Sequence, residues 1–195
     1  VFLLFTRLAG KVSGNSPGIV AGGLIAAILY GIHPLRVESV VWVSERKDVL
    51  CSFFILATYS AYLSYVSVED KKIRTRWYFV MLVLMILALM SKAMAVTIPV
   101  VMLILDVYPL KRWQSASQGF KLIVEKLPFF ALSLIVGLAT LITLRESGRL
   151  VSTVSVDFTD RILNASESLL FYIGKTLWPT HLIPVYPLFK SAPII

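Results

Sequence analysis

The sequence predicts an all-α membrane protein: a polytopic bundle of transmembrane helices, with short interfacial helices on the non-cytoplasmic side. Hydrophobic residues make up 57% of the chain and charged residues only 15%, and the mean hydropathy is +0.81. Soluble domains are nearer half apolar and a quarter charged. The apolar residues also form runs of about the length that crosses a bilayer, separated by short basic gaps. The 195 residues therefore accommodate about five to seven crossings at roughly 20 residues each.

The apolar runs define one transmembrane domain over residues 1–195. The predicted spans are 18–32, 49–66, 77–90, 93–110 and 127–144, and a helix over 161–178 is predicted to be interfacial or re-entrant. This last helix carries a polar stripe at helical spacing, which must face protein, water or headgroups rather than lipid tails. Because the chain begins at Val1 inside a short apolar run and stops after PVYPLFKSAPII, we expect it to be truncated at both ends.

The basic residues in the gaps predict the orientation. They account for the formal net charge of +8, and the positive-inside rule places them in the cytoplasm. The residues are Arg7, Lys11, Lys71, Lys72, Arg74, Arg76, Lys111, Arg112, Lys121 and Lys126. The run Trp77–Leu110 then has cytoplasmic flanks at both ends. As a helix it would be about 50 Å long, against a hydrocarbon core of about 30 Å. Two crossings that meet at Ser91–Lys92 are favoured over a single tilted span.

The same rule places His33–Asp48 and Arg145–Arg161 on the non-cytoplasmic side. The first of these segments, HPLRVESVVWVSERKD, is too polar to cross a bilayer. Pro34 suits a first helical turn, and Glu38, Trp42 and Glu45 follow at helical spacing on one face. The segment is predicted to be one short helix at the membrane boundary that leads into the next span.

Ionisable residues gather on this predicted outer side and form the candidate site. A carboxylate there can serve as a general base toward an acceptor hydroxyl, and a guanidinium can hold a phosphate with two hydrogen bonds. The candidate catalytic residues are Glu38 and Asp48, and the candidate substrate or phosphate ligands are Arg46, Lys92, His33 and Lys175. The alternative for the acidic residues, Arg46, Lys92 and Lys175 is an interfacial role, with charges that pair with one another or extend to the headgroups. The alternative for His33 is a structural residue at a helix end. Asp106 is interpreted as an interface charge at a cytoplasmic helix end.

Several function classes lack their sequence signatures. The chain has no nucleotide-binding loop and no nucleophile elbow, and no basic face or groove motif indicates nucleic-acid binding. Cys51 is the single cysteine, so no internal disulfide can form and no cysteine–histidine metal framework exists. We therefore expect no metal and no cofactor.

Two segments carry a resemblance to a known family. The stretches HPLRVESVVWVSERKDVL and SKAMAVTIPVVMLILDVYPLKRW resemble the membrane region of transmembrane and tetratricopeptide-repeat-containing O-mannosyltransferases and their bacterial homologues. The matching residues are His33-Pro34, Glu38, Trp42-Val43, Arg46-Lys47-Asp48, Ser91-Lys92 and Asp106. The later stretch RILNASESLLFYIGKTLWPTHLIPVYP is also similar, but more loosely.

The resemblance implies a GT-C glycosyltransferase fold and an activity. Such enzymes transfer a sugar, here mannose-like, from a polyprenyl- or dolichyl-phosphate carrier to a protein hydroxyl on the non-cytoplasmic side. Membrane lipid, the lipid-linked donor and an acceptor protein would be the partners. By resemblance, Arg46 would contact the carrier phosphate, Lys92 would be a second phosphate or cavity contact, and Glu38 and His33 would line the cavity. A multi-pass protein of the bacterial inner membrane with a periplasmic site is favoured, or of the endoplasmic reticulum membrane in a eukaryote.

The chain departs from the family pattern in two ways. The family's main acidic motif would lie upstream of Val1, and its tetratricopeptide repeats would follow the membrane region. We therefore expect the fragment alone to be inactive. Two other functions stay open: a non-catalytic membrane anchor of a tetratricopeptide-repeat protein, and a transporter. The transporter is disfavoured because the charges cluster at one boundary rather than at the midplane.

Overall fold

A computed structural model describes residues 1–14, 16–148, 158–180 and 182. The side chains of Arg36, Glu38, Ser44, Phe158, Asp160 and Arg161 are outside this description. The described residues contain α-helices and short 3-10 turns and no strand, so the predicted all-helical class is confirmed. The helices are α1 (Phe2–Ser13), α2 (Pro17–Ile32), α3 (Val37–Val41), α4 (Arg46–Ser67), α5 (Lys71–Ser91), α6 (Ile98–Val107), α7 (Ala116–Glu146) and α8 (Phe158–Leu177). The chain divides into two compact units, Val1–Ile142 and Thr143–Ile195.

Three helices are long and apolar enough to cross a membrane: α4, α5 and α7. Two shorter apolar stretches, Pro17–Ile32 and Ala93–Val107, accompany them. Only 6% of the apolar window of α7 is buried within the chain. A surface of this size and hydropathy is unfavourable in water, so the protein associates with membranes.

The antiparallel pair α4–α5 forms the core of the first unit. Asp70, in the short connection, caps α5 by accepting hydrogen bonds from the backbone N–H groups of Lys72 and Ile73 at 2.7 and 3.1 Å. Such a cap satisfies two of the free donors at a helix start. The buried residues of the core are Cys51, Tyr59, Ala61, Tyr62, Tyr65, Met81, Met85, Ala88, Leu89, Ala95, Ile98, Met102 and Phe129.

The chain reverses direction after α5. Lys92 is extended, with φ −159° and ψ 137°, and a 3-10 turn over Ala93–Thr97 leads into α6. Pro99 lies in the first turn of α6, where its missing N–H costs little. Because α6 returns along α4, its last turn lies beside Tyr62, which donates a hydrogen bond to Asp106.

The remaining helices of the first unit pack around this core. Phe129 of α7 meets Tyr78 of α5 edge to face, with ring centroids 5.5 Å apart. On another side, α1 packs against α2 so closely that a Cβ on Gly23 would lie 2.9 Å from Thr6. Arg7 of α1 also donates to the backbone oxygen of Ser60 at 3.2 Å, which joins α1 to α4.

Several basic residues that the sequence placed in loops lie inside helices. The basic gap at Lys71–Arg76 is helical, since α5 begins at Lys71 directly after its Asp70 cap. Likewise Lys121 and Lys126 belong to α7. Lysine and arginine are good helix formers. A helix can therefore continue beyond the point where its apolar span ends.

The segment after α2 is not the single short helix that the sequence predicted. It consists of a 3-10 turn over Pro34–Arg36, the short helix α3, and a second 3-10 turn over Val43–Glu45. Trp42, with φ −84° and ψ 115°, interrupts the helix. Val40, Val41 and Val43 surround this break, and β-branched residues favour extended backbone. As a result Glu38 and Glu45 do not share one continuous helix.

The second unit contains α8 (Phe158–Leu177), which begins slightly before the predicted helix over 161–178 and ends one residue before it. It is not among the helices long and apolar enough to cross a membrane. Predicted features in residues 183–195 lie outside the described residues, as does His181.

Candidate functional site

A cluster of acidic and basic side chains lies where α4 begins and α5 ends. Lys92 Nζ lies 2.6 Å from Asp48 Oδ1 and 3.9 Å from Glu45 Oε2. Lys47 Nζ pairs with the other oxygen of Glu45 at 3.4 Å. We call Glu45, Asp48 and Lys92 the Lys92 cluster. Its side chains are 24–31% exposed, so a ligand can reach them.

Local backbone geometry brings these residues together. Glu45 ends a 3-10 turn and Asp48 lies in the first turn of α4, whereas Lys92 follows the last residue of α5. Lys92 and Asp48 are 44 positions apart in the sequence. They meet because α4 and α5 are antiparallel. The buried Cys51 Sγ, one turn into α4, lies 3.9 Å from the Lys92 carbonyl oxygen.

The other predicted site residues are not members of the Lys92 cluster. Arg46, the first residue of α4, is exposed. His33 caps the 3-10 turn, since its Nδ1 accepts a hydrogen bond from Leu35 N at 3.3 Å. Glu38 belongs to α3. Lys175, in the second unit, donates to the Thr180 carbonyl oxygen at 2.5 Å. The structure therefore brings together Asp48 and Lys92 from the predicted set, with Glu45 added.

A second group of charges lies at the opposite end of α4. Asp106 and Lys126 are 0% and 1% exposed, and their charged atoms are 2.5 Å apart. Tyr62 donates a hydrogen bond to Asp106, and Lys126 Nζ also lies 5.1 Å from the centre of the Tyr62 ring. These three residues, with Arg112 and Glu125, form what we call the buried ion network.

Arg112 and Glu125 carry the network toward the surface. Arg112 bonds Asp106 at 2.9 Å and Glu125 at 3.0 Å. Burial alone lowers the pKa of Arg112, but the hydrogen bonds to Glu125 and the surrounding negative charge prevail and raise it above its usual value. Glu125 also accepts from Tyr65 at 2.9 Å. Every carboxylate of the network thus has a cationic partner, as buried charges require.

Sequence reasoning missed the buried ion network. The interpretation of Asp106 as an interface charge is wrong, because its side chain is completely buried. Lys126, assigned to a cytoplasmic loop, is buried opposite it. The available signal was the adjacent Glu125–Lys126 pair beside an apolar run, together with Asp106 inside one. Their pairing depends on how α6 and α7 meet.

No group of three or more metal-ligating side chains occurs within the described ranges. The two clusters therefore offer acid–base and electrostatic chemistry. The Lys92 cluster can bind an anion through its ammonium group or accept a proton on a carboxylate. Within the buried ion network, Asp106 and Lys126 have no such access, and their charges satisfy each other, whereas Arg112 and Glu125 reach the surface.

Comparison with known proteins yields one distant similarity. Over 103 residues the chain is 28% identical to human protein O-mannosyl-transferase TMTC4, a match that covers 49% of this chain and 14% of that protein. The chain thus spans far less than the relative's full length. No protein-family model matches the chain. No solved structure matches it either. The similarity agrees with the family resemblance found in the sequence motifs.

Proposed function

We propose that this chain is part of a multi-pass membrane glycosyltransferase with a GT-C-like arrangement. It would transfer a sugar, mannose-like, from a polyprenyl-phosphate carrier to a protein hydroxyl on the non-cytoplasmic side. The observation that carries the proposal is the accessible Lys92 cluster, in which an ammonium and two carboxylates meet at one end of the α4–α5 pair. The distant similarity to an O-mannosyl-transferase supports the reaction class.

The position of the Lys92 cluster supports a site on the outer side. Lys71 and Arg74 begin α5, at the end of the helix pair opposite to Lys92. Lys111 and Lys121 also lie near that end, around Arg74 and Glu125. If these basic residues face the cytoplasm, the Lys92 cluster faces the other compartment. A carrier phosphate would lie at this membrane boundary.

The reaction assigns roles to the cluster and its neighbours. Arg46 and Lys92 would hold the carrier phosphate, and Asp48 would accept the proton of the acceptor hydroxyl. The hydroxyl oxygen forms a bond to the anomeric carbon, while the bond from that carbon to the phosphate oxygen breaks. Polyprenyl phosphate leaves with the electron pair. By the family resemblance, Glu38 and His33 would belong to the same site. Lys175, the remaining residue of the predicted set, belongs to the second unit.

Lys92 connects binding of the donor phosphate with release of the Asp48 carboxylate. Its ammonium is 2.6 Å from Asp48. A donor phosphate would compete for the same ammonium. Once Lys92 turns toward the phosphate, the Asp48 carboxylate is free to accept a proton. Donor binding would in this way prepare the base.

The test uses full-length protein in proteoliposomes, with polyprenyl-phosphate mannose as donor and a serine- and threonine-containing peptide as acceptor. We expect Arg46→Gln to raise the KM for the donor about 10- to 100-fold, as loss of a charged hydrogen-bonding contact does. Lys72→Gln, which removes a similar exposed charge at the other end of α5, is the matched control. It should leave transfer unchanged.

Two results would count against the proposal. Unchanged donor KM in Arg46→Gln would remove Arg46 from the site. Absence of any transfer by folded wild-type protein would contradict the enzyme assignment and favour the membrane-anchor function.

A further inference from the structure

A basic pocket lies at the end of the α4–α5 pair opposite to the Lys92 cluster. Its cavity has a volume of about 450 Å³ and lies between the first turns of α5, the loop after α6 and the start of α7. It is lined by Arg74, Lys111, Arg112, Gln114, Gln118, Lys121, Leu122 and Glu125. Four cationic side chains thus face one carboxylate. We call this cavity the basic pocket.

The one carboxylate of the basic pocket is already neutralised. Glu125 bonds Arg112 at 3.0 Å and Lys126 at 3.1 Å, and Arg74 approaches it at 3.6 Å. By contrast, no carboxylate in the described part of the chain is within ion-pair distance of Lys111 or Lys121. Both lysines are exposed. The pocket therefore has positive charge that the protein itself does not balance.

The loop that carries Lys111 is held in a defined conformation. Gln114 Nε2 donates to the Lys111 carbonyl oxygen at 3.1 Å, and Gln114 N donates to Gln118 Oε1 at 3.1 Å. Lys111 itself has a φ of 50°, in the left-handed region that non-glycine residues seldom occupy. Such a conformation persists where its surroundings fix it. Two amide side chains in the lining add hydrogen-bond donors suited to an oxyanion.

A second cavity adjoins the basic pocket at Arg74. It has a volume of about 250 Å³ and is lined by Tyr65, Lys71, Arg74, Thr75 and Tyr78. Arg74 forms part of both walls, and its guanidinium carbon lies 4.7 Å from the centre of the Tyr65 ring. The two cavities together place cations, hydroxyls and aromatic rings along one side of the α4–α5 connection. Both lie near the ends of membrane-capable helices, and the ends of a helix that spans a bilayer lie close to the lipid headgroups.

From these observations we propose that the basic pocket binds a phosphate group, carried by an anionic phospholipid headgroup or by free phosphate. Lys111 and Lys121 supply the unbalanced charge, and Arg74 supplies a planar donor that can bond two phosphate oxygens. The site is separate from the proposed sugar-transfer site, because it lies at the other end of α4 and α5. It does not depend on the sugar-transfer activity.

The test measures binding by the purified full-length protein in neutral detergent. Native mass spectrometry would compare phosphatidylglycerol, phosphatidylcholine and inorganic phosphate as probes. The pocket variant is Lys111→Gln with Lys121→Gln. The control is Lys72→Gln with Arg76→Gln, which removes the same charge from exposed residues of α5 that do not line the basic pocket.

We expect phosphatidylglycerol to bind more tightly than phosphatidylcholine, and the pocket variant to weaken it roughly thirtyfold, as loss of two juxtamembrane lysines predicts. The control should bind as wild type does. Competition by inorganic phosphate at similar concentration would identify free phosphate as the ligand, and lack of competition would identify the lipid headgroup. Equal binding by wild type and the pocket variant would overturn the proposal. An equal loss in both variants would also overturn it, because general surface charge would then explain the binding.

Discussion

The buried ion network and the Lys92 cluster both pair carboxylates with lysines, and they lie at opposite ends of α4. They differ in how deeply the paired side chains are buried. Asp106 and Lys126 are 0% and 1% exposed, whereas Asp48 and Lys92 are 24% and 31% exposed. A buried pair needs its partners, since each charge left alone loses its hydration without compensation. A partly exposed pair can exchange a partner for water or a ligand at small cost. The same residue types are therefore structural at one end and available for chemistry at the other.

The largest effect should follow from removing the buried cation. Lys126→Ala leaves Asp106 buried with one of its cations missing, and breaking such a pair costs about 3–5 kcal/mol of the free energy of unfolding. Denaturant titration in mixed micelles measures it. Lys121→Ala, an exposed lysine on the same helix, should change stability by less than about 0.5 kcal/mol. Equal loss in both variants would show that burial does not distinguish the two positions.

The next effect tests the hydroxyl that bridges the buried ion network. Tyr62 donates to Asp106 and accepts from Arg112 at 2.8 Å. Tyr62→Phe should cost about 1.5–3 kcal/mol, the range for hydrogen bonds to charged groups. Tyr59→Phe is the control one turn earlier, because the described residues provide no hydrogen-bond partner for Tyr59. If the two variants unfold at the same denaturant concentration, the hydrogen bonds of the Tyr62 hydroxyl contribute nothing to stability.

A smaller loss of stability should follow from adding a methyl group at Gly119, which packs against the loop that carries Arg112. A Cβ on Gly119 would lie 2.4 Å from the indole ring of Trp113, the residue after Arg112. Gly119→Ala should therefore cost about 1–2 kcal/mol through displacement of that ring. Nothing lies within 4 Å of a Cβ on Gly137, so Gly137→Ala should be neutral or stabilise α7 by up to about 1 kcal/mol. Thermal unfolding followed by circular dichroism separates them. A Gly119→Ala midpoint at or above wild type would contradict the contact.

The smallest effect on stability is expected at the Lys92 cluster. Asp48→Asn removes one partner of a partly exposed ion pair, and such pairs contribute about 0–1 kcal/mol. The amide keeps the size of the carboxylate and can still accept a hydrogen bond from Lys92. The same thermal measurement should place this variant close to wild type. A loss as large as that of Lys126→Ala would remove the distinction between the two ends.

The sequence predicted the helical class, and it placed Asp48 and Lys92 on one side of the membrane, because both follow from local signals. The contact between the two residues depends on the antiparallel packing of α4 and α5. Apolar runs predict helices. The placement of charge around Ser91–Lys92 predicted that the chain turns back there. Arg46 next to Asp48 was likewise visible in the sequence as a charged helix start.

Two features were not predicted, one because it depends on tertiary packing and one because local preferences compete. The pairing of Asp106 with Lys126 requires α6 and α7 to meet at particular turns, which periodicity within one helix does not specify. The break at Trp42 occurs beside three valines, which favour extended backbone, although the spacing of Glu38, Trp42 and Glu45 predicted a continuous helix. Helix starts at Lys71 and Ala116 were also missed. Hydropathy indicates where a span lies in lipid, while caps and propensity decide where its helix begins.

We propose that the accessible Lys92 cluster carries chemistry, while the buried ion network carries stability. The most direct measurement is the initial rate of mannose transfer from polyprenyl-phosphate mannose by Asp48→Asn, per folded full-length molecule. We predict a loss of about 100-fold or more, as removal of a general base produces, with the unfolding midpoint unchanged. Transfer at the wild-type rate by this folded variant would contradict the account.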